Sequence, residues 1–293
     1  MDAAPPPGLL RRSEMRVPPD WLEAARADPE TRFLICRGTS HLVRNEPEAS
    51  IAFLAADELP LAAIEPARLV LLGWFHGHRC VLVDLPADLP LSPAGTVYEE
   101  LRPLLPRQSA AEAQLLITAR ALMVWRARQR HCGVCGAPTA PRRAGHVVVC
   151  TNDACHAEFF PRIDPAIIVL VTDGSRALLG RQPSWPKDRY SALAGFVEAG
   201  ETLEEAVARE VEEETGVSID SVRYFASQPW PFPASLMLGF HAGARADAGP
   251  IRLDGELEDA RWFELEELRS APAILLPPPH TIARRLIEAW FSR

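Results

Sequence analysis

A run of glutamates between two glycines constrains this 293-residue chain more than any other feature. Seven glutamates lie between Gly200 and Gly216. Thr202 followed by Glu205 forms a capping box, so the sequence predicts a helix that begins there, and Gly216 is suited to end it. On a helical wheel of about 100° per residue, three apolar side chains share one face: Leu203, Val207 and Val211.

Three carboxylates converge at or beside this apolar face. Glu214 falls inside the stripe, and Glu210 and Glu213 border it. Like charges crowded at a buried face are costly unless cations neutralise them, and Mg²⁺ and Mn²⁺ prefer oxygen ligands. The alternative is a solvated acidic helix. That alternative suits the remaining glutamates but explains Glu214 badly.

The composition bounds the class of protein. The chain carries 31 Lys and Arg against 39 Asp and Glu, and 47% of its residues are hydrophobic. We expect a globular protein of two domains with room for a small third module. A net charge of −8 makes it a poor general binder of nucleic acid backbones. Because no apolar run reaches about 20 residues and no secretory signal opens the chain, we expect a cytoplasmic protein without a membrane span.

Four of the six cysteines are clustered in the middle of the chain: Cys132, Cys135, Cys150 and Cys155. Paired thiolates at short spacing predict a tetrahedral Zn²⁺ site, and four thiolates leave no open position. We therefore expect one structural zinc. The alternative is four unliganded or oxidised cysteines. His131 and His156 adjoin the cluster and are interpreted as neighbours of the ligands.

Several arginines surround the predicted zinc module: Arg126, Arg128, Arg130, Arg142 and Arg143. Zinc modules of this kind often bind nucleic acid, so contact with RNA is one interpretation of the patch. The other interpretation is an ordinary solvated surface.

The order of strand and helix patterns indicates an α+β protein. We predict a loose segment over residues 1–19, a mixed α/β domain ending in a linker helix over 20–127, a zinc ribbon over 128–161, and a catalytic domain over 162–293. Helices are expected at about 108–130, 202–215 and 280–291. No chemistry stands out in the first domain, which is interpreted as structural or dimerising.

A proline-rich stretch is the next candidate for function. Residues 227–235 read Ser-Gln-Pro-Trp-Pro-Phe-Pro-Ala-Ser. The prolines would hold Trp230 and Phe232 on a stiff loop as stacking surfaces for flat rings, and Gln228 could hydrogen-bond a base or amide edge. The alternative is a proline-rich turn with core aromatics.

The glutamate segment resembles the Nudix box, Gly-x5-Glu-x7-Arg-Glu-apolar-x-Glu-Glu-x-Gly-apolar. Every fixed position matches: Gly195, Glu201, Arg209, Glu210, Val211, Glu213, Glu214, Gly216 and Val217. The resemblance implies a Nudix fold, with a mixed β-sheet between helices, and hydrolysis by a metal-activated water. It further implies that Glu210, Glu213 and Glu214 bind Mg²⁺ or Mn²⁺, that Glu201 and Arg209 orient them, and that Glu214 is the general base.

Residues 128–293 also resemble the NADH pyrophosphatase branch of the Nudix hydrolases. The shared features are the zinc ribbon, the box, the stretch at 227–235, an acidic-aromatic stretch at 255–263 and the ending at 277–287. The resemblance implies that Glu256 and Ala194 are further metal contacts. It also implies a dinucleotide pocket lined by Phe160, Ala194, Phe196, Gln228, Pro229, Trp230, Pro231, Phe232, Pro233, Ala234, Ser235 and Ala283.

The activity that this resemblance implies is hydrolysis of NAD(H) to NMN(H) and AMP, with removal of NAD caps from RNA and a homodimeric state. Two alternatives stay open. One is a Nudix hydrolase of another dinucleotide or of ADP-ribose, against which the stretch at 227–235 argues. The other is a nucleic-acid-binding regulator with an inactive Nudix domain, against which the complete set of box carboxylates argues.

Overall fold

The computed structural model describes residues 8–44, 49–60, 64–270 and 275–291. Contacts divide the chain into two compact units, Met1–Arg162 and Ile163–Arg293. Neither unit contributes, among the described residues, a helix that is long and apolar enough to cross a membrane.

The first unit contains a large mixed sheet. Its strands are β1 Leu9–Leu10, β2 Arg32–Arg37, β3 Ser40–Arg44, β4 Ser50–Ile51, β5 Phe53–Leu54, β6 Leu69–Phe75, β7 His78–Asp84 and β8 Thr96–Glu100. The order is β1-β6-β7-β2-β3-β4, with β5 on β2 and β8 on β3. Only β2 and β7 pair in parallel among these described strands. The central strands are buried on both faces, which explains their nearly continuous apolar sequences.

Three helices accompany this sheet: α1 Trp21–Ala27, α2 Leu101–Leu104 and α3 Ala110–Arg128. The longest one, α3, begins at a capping box in which Ser109 accepts the backbone N–H of Glu112 and Glu112 accepts that of Ser109. It contacts β1 and β6. The helix that the sequence predicts at about 108–130 is therefore present.

The expectation of a loose segment over residues 1–19 is wrong for the part that the structure describes. Leu9 and Leu10 pair with Trp74 and Phe75 of β6, and residues 13–16 form a 3₁₀ turn. Leu9 is buried because it completes the edge of the sheet. The segment is rich in proline and charged residues, so its composition predicts no strand, although it contains the short apolar pair Leu9–Leu10. Residues 1–7 lie outside the described residues.

The end of the first unit is a small three-stranded antiparallel sheet of β9 Thr139–Arg142, β10 Val147–Cys150 and β11 Glu158–Phe159. Its strands hold the two cysteine pairs: Cys132 and Cys135 precede β9, Cys150 is the last residue of β10, and Cys155 lies in the turn that follows. This arrangement is the ribbon that the cysteine spacing predicts.

The second unit is a mixed sheet between helices, so the predicted fold class is confirmed. Its elements are β12 Asp164–Thr172, β13 Arg176–Arg181, β14 Leu193–Phe196, α4 Leu203–Thr215, β15 Ile219–Trp230, β16 Ser235–Ala244, β17 Asp259–Glu264, α5 Leu265–Ser270 and α6 Ile282–Phe291. The strand order is β15-β16-β12-β13-β17, with β14 on β12 and a parallel pair β12–β16.

Two cores lie on opposite faces of this sheet. Residues of α4, including Val207 and Val211, pack with Ile167 and Val169 of β12 on one face. Residues of α6 pack on the other face, against Ile168 and Leu170 of the same strand. Because successive side chains of a strand point to opposite faces, β12 is apolar at every one of these positions.

Candidate active site

Helix α4 positions the carboxylates. The hydroxyl of Thr202 accepts the N–H of Glu205, and the Glu205 carboxylate accepts the N–H of Thr202. Gly216 ends the helix with a left-handed φ of 68°, and its N–H donates to the carbonyl of Glu212. The predicted apolar stripe is buried at Val207 and Val211. These local contacts fix which face of α4 each glutamate occupies.

Glu214 is buried with an unsatisfied oxygen. Its side chain is 4% exposed, and Oε2 has no hydrogen-bond partner among the described residues. Burial, together with the negative charges of Glu210, Glu256 and Asp254, raises the pKa of Glu214 to about 8. A buried carboxyl without a partner is costly, and a cation beside it would relieve that cost. The unpaired oxygen of Glu214 therefore suits a ligand of a divalent cation.

Glu210 lies against the backbone of β14. A Cβ atom added to Gly195 would stand 1.9 Å from the carboxyl carbon of Glu210. Only glycine at position 195 leaves room for this carboxylate beside the sheet. This contact explains why the glutamate segment begins with a glycine. Burial raises the pKa of Glu210, and the neighbouring Arg209 opposes that shift.

Arg209 ties the loop before α4 to the helix. Its guanidinium donates to both oxygens of Glu201 at 2.6 and 3.0 Å, to Oε2 of Glu213 at 3.0 Å and to the carbonyl of Phe196 at 2.9 Å. Oε1 of Glu210 is also 3.0 Å away. The hydrogen bonds from Arg209 lower the pKa of Glu201, which accepts the N–H of Glu198 as well. Arg209 and Glu201 thus hold the loop and orient the carboxylates.

A cleft of about 490 Å³ opens over these groups. Its volume lies in the range of small-ligand pockets. Its lining includes eight of the residues predicted for the site: Ala194, Phe196, Arg209, Glu210, Glu213, Glu214, Ser235 and Glu256. The side chain of Phe196 is 58% exposed at this cleft, so one ring face is available to a ligand.

Asp254 lines the cleft but was missed by the sequence analysis. Its Oδ1 accepts the N–H of Glu256 at 2.9 Å, across Gly255 with a left-handed φ of 107°. The Asp-Gly pair is a turn signal that could have pointed to it. The turn carries Glu256, which belongs to no helix or strand, to the same cleft as the α4 carboxylates.

The stretch at 227–235 differs from the predicted loop. Gln228, Pro229 and Trp230 are the last residues of β15, and only 231–234 form the turn to β16. Pro229 is tolerated because β15 is an edge strand. The rings of Trp230 and Phe232 meet edge to face at 5.2 Å. Pro231 is buried, while Pro233 and Ala234 are not.

Gln228, which is predicted to read a base or amide edge, makes two hydrogen bonds within the chain. Its Oε1 accepts the N–H of Ile282 at 2.8 Å, and its Nε2 donates to the carbonyl of His280 at 2.8 Å. Both ends of the amide therefore hold the start of α6. Ala283 is 5% exposed and packs in the core with the rest of that helix, and its place in the pocket stays a prediction. Phe160 is 58% exposed in the first unit and stays a prediction.

The four ribbon cysteines form a metal-binding group. All four Sγ atoms lie within 4.8 Å of one another, with Cys132–Cys155 at 3.8 Å and Cys135–Cys150 at 3.4 Å. Zn–S bonds of about 2.3 Å at tetrahedral angles place sulfurs ~3.8 Å apart. The N–H groups of Val134 and Asn152 donate to the sulfurs of Cys132 and Cys150. The residues fit a closed, structural zinc site.

Comparison with sequence families agrees with this organisation. Residues 162–291 match the NUDIX domain. Residues 30–125 match the NADH pyrophosphatase-like rudimentary NUDIX domain, and residues 127–160 match the NADH pyrophosphatase zinc ribbon domain. The match over residues 127–160 supports the interpretation of the cysteine cluster as a zinc ribbon.

Individual relatives are similar over most of their length. A NAD-capped RNA hydrolase NudC from Mycobacterium bovis is 41% identical over 288 residues, which cover 92% of this chain and 87% of the relative. One from Stutzerimonas stutzeri is 42% identical over 238 residues, 80% of each chain. A NAD-capped RNA hydrolase from Macaca fascicularis is 33% identical over 332 residues, covering 96% of this chain and 71% of the relative.

Proposed function

The chain belongs to the NADH pyrophosphatase branch of the Nudix hydrolases, and on that premise we propose that it hydrolyses the pyrophosphate bond of NAD(H) and removes NAD caps from RNA. The products would be NMN(H) and AMP. The observation that carries the proposal is the unpaired, buried Oε2 of Glu214 in a cleft with three other acidic side chains of the proposed site. The relatives, named as NAD-capped RNA hydrolases, support the choice of substrate.

Four carboxylates and one backbone carbonyl would hold the divalent cations: Glu210, Glu213, Glu214, Glu256 and Ala194. Mg²⁺ or Mn²⁺ bound there would neutralise the diphosphate, polarise its phosphoryl oxygens and lower the pKa of a water. The remaining chemistry rests on side chains of the chain itself.

Glu214 is the proposed general base. Without a cation its pKa is raised to about 8, and a divalent cation bound beside it would lower that pKa, so that the carboxylate is ionised and can accept a proton near neutral pH. Oε2 would accept the proton of the water that attacks phosphorus while the bridging P–O bond breaks. Arg209 and Glu201 would act as positioning residues, because their hydrogen bonds hold the loop against α4.

Aromatic side chains are the proposed contacts of the dinucleotide rings. The exposed ring of Phe196, beside Ala194 in β14, supports stacking of one base at the mouth of the cleft. The end of β15, the turn that follows it, the first residue of β16 and one residue of α6 would supply the other contacts: Gln228, Pro229, Trp230, Pro231, Phe232, Pro233, Ala234, Ser235 and Ala283. Phe160 is proposed as an additional contact on the strength of the family resemblance.

A homodimer is part of the proposal, again by resemblance to the family. Light scattering of the purified protein should give twice the chain mass of 32.3 kDa. A mass of one chain at all concentrations would contradict it.

A substrate panel tests the proposed specificity. We expect turnover of NADH, NAD⁺ and NAD-capped RNA in Mg²⁺ or Mn²⁺, with NMN(H) or its RNA counterpart identified by mass spectrometry. Faster cleavage of ADP-ribose than of all three would replace the proposal with another Nudix specificity. RNA binding without turnover of any substrate would favour the inactive regulator instead.

A further inference from the structure

Charge is distributed unevenly along the chain. Residues 163–293 carry 13 Lys and Arg against 21 Asp and Glu, whereas residues 1–162 carry 18 of each. Within the first unit, the segment from Ala113 to Asn152 contains six arginines and no carboxylate. The acidic net charge, which disfavours nucleic acid for the whole chain, therefore does not apply to this part of it.

Three arginines of the first unit converge over strand β6. Arg16 donates to the carbonyl of Arg11 at 3.2 Å, and Arg11 donates to Oγ1 of Thr118 in α3 at 3.3 Å. Arg126 donates to the carbonyl of Leu69 at the start of β6. We call Arg11, Arg16 and Arg126 the arginine cluster.

His146 and Arg126 hydrogen-bond to carbonyl groups of the same strand. Nε2 of His146 donates to the carbonyl of Leu71, two residues along β6 from the contact of Arg126. Burial lowers the pKa of His146 to about 4, and the positive charges of Arg16, Arg11 and Arg126 add to that shift. The positive charges of all three guanidinium groups therefore lower the pKa of the same imidazole.

The arginine cluster has no ion-pair partner among the described residues. Each of its guanidinium groups has only uncharged acceptors, and across the described residues none forms an ion pair. Nε of Arg16 is buried without any acceptor at all. Burial and the charge of Arg11 lower the pKa of Arg16, as expected for a cation that lacks a counter-ion. The charge of Glu14 opposes that shift without an ion pair, and the charge of Asp84, which is paired with Arg68, acts on Arg126 in the same direction.

In the part of the chain that the structure describes, Nε of Arg16 lacks an acceptor, and the arginines around it lack counter-ions. An anion with several acceptor oxygens would supply both. Phosphate has this chemistry, because its oxygens match the planar fork of arginine. An anion would reach the cluster through Arg11, which is exposed, and along the half-buried side chain of Arg16, whose Nε is itself covered. Four exposed arginines follow along the same acid-free segment and extend the positive charge: Arg128, Arg130, Arg142 and Arg143.

We propose that the arginine cluster of the first unit binds a backbone phosphate of RNA. A single phosphate could equally come from a free nucleotide such as AMP. The row of further arginines favours the polymer, because a nucleic acid strand presents a phosphate at every nucleotide. The choice of RNA rests on the proposed function, whereas the anion site itself does not.

Binding of an uncapped, fluorescein-labelled single-stranded oligoribonucleotide to the full-length protein tests this proposal. Fluorescence anisotropy is measured over a series of salt concentrations for the wild type, Arg16→Gln and the double variant Arg11→Gln/Arg16→Gln. Arg44→Gln is the matched control, because Arg44 is an exposed arginine at the end of β3 in the same unit. AMP is titrated separately as the free phosphate source.

We expect the double variant to bind the oligoribonucleotide about tenfold more weakly, and the slope of log K against log salt to fall by about 0.7 for each phosphate that the variant no longer binds. Arg16→Lys, which keeps the charge but lacks the Nε donor, should fall between Arg16→Gln and the wild type. NADH turnover should stay at the wild-type rate in every variant, which shows that each one is folded and that a failure here is separate from a failure of the hydrolase proposal. RNA affinity unchanged in the double variant, or a loss of AMP binding with RNA binding intact, would overturn the proposal.

Discussion

At the scale of single residues, the candidate site depends on a few side chains whose environments are unusual. Glu214 is acidic yet buried, and Gly195 is small because Glu210 occupies the space that a side chain would need. The helical wheel predicts the position of Glu214 from sequence alone. It cannot predict the contact of Gly195, because that contact joins a strand to a helix that follows it in the chain.

Gly195→Ala should damage the site through that contact. The new Cβ would meet the Glu210 carboxyl group at 1.9 Å, so the carboxylate or β14 must shift. Displacement of a catalytic group by about 1 Å can cost about 100-fold in rate. We expect at least this loss in kcat for NADH with the zinc content unchanged. Full activity would contradict the placement of Glu210.

Glu214→Gln should stabilise the protein in buffer free of divalent cations. Folding raises the pKa of this carboxyl from 4.5 to about 8, so the wild type loses stability as pH rises through that window and the neutral amide does not. At pH 8 the difference should be on the order of 3 kcal/mol in the free energy of unfolding.

Urea denaturation at both ends of this pH window measures the effect. Glu212→Gln is the matched control, because Glu212 is on the same helix and exposed. We expect that control to follow the wild type. Added Mg²⁺ should stabilise the wild type at pH 8 and leave Glu214→Gln nearly unchanged. A Glu214→Gln variant that is less stable than wild type at pH 8 without cations would show that the carboxylate already has a partner.

At the scale of elements, sequence patterns predicted those that have a local cause. Helix α4 has its own capping box and stop signal, and α3 has a capping box at Ser109. One other element and one side chain depend on partners that are distant in the sequence. The pair Leu9–Leu10 becomes a strand only because β6 is there to receive it, and Gln228 acquires its role from α6, more than 50 residues later.

Gln228→Ala should therefore act on α6 as well as on the dinucleotide pocket. It removes two hydrogen bonds of 2.8 Å at the start of that helix. Net contributions of about 1 kcal/mol for each bond predict a loss of about 2 kcal/mol in the free energy of unfolding. Ser227→Ala, one residue earlier and exposed, is the control. If Gln228→Ala raised KM strongly without any loss of stability, the amide would instead be a substrate contact.

At the scale of the whole molecule, both units are sensitive to acid. His41 and His146 in the first unit and His241 in the second each have a pKa that burial lowers to about 4. Neither ring nitrogen of His241 has a partner among the described residues. A histidine whose folded-state pKa lies below its unfolded value of 6.5 withdraws stability as pH falls through that interval.

The three histidines together outweigh the opposite effect of Glu214, so the free energy of unfolding should decline by several kcal/mol between pH 6.5 and about 4. His241→Gln should make this decline shallower, whatever its effect on stability at neutral pH. The exposed His76→Gln serves as control. Chemical denaturation at a series of pH values gives the slope, and an identical slope for His241→Gln and wild type would show that His241 is protonated in the folded protein.

The central claim is that the acidic cleft hydrolyses a dinucleotide pyrophosphate with the help of divalent cations. The most direct measurement is turnover of NADH as a function of Mg²⁺ and Mn²⁺ concentration for the wild type, Glu214→Gln and Glu212→Gln, with products separated by chromatography. We predict that wild type and Glu212→Gln form NMNH and AMP only when the cation is present, and that Glu214→Gln loses at least about 100-fold in kcat. Equal turnover by Glu214→Gln, or turnover that does not depend on the cation, would contradict the account.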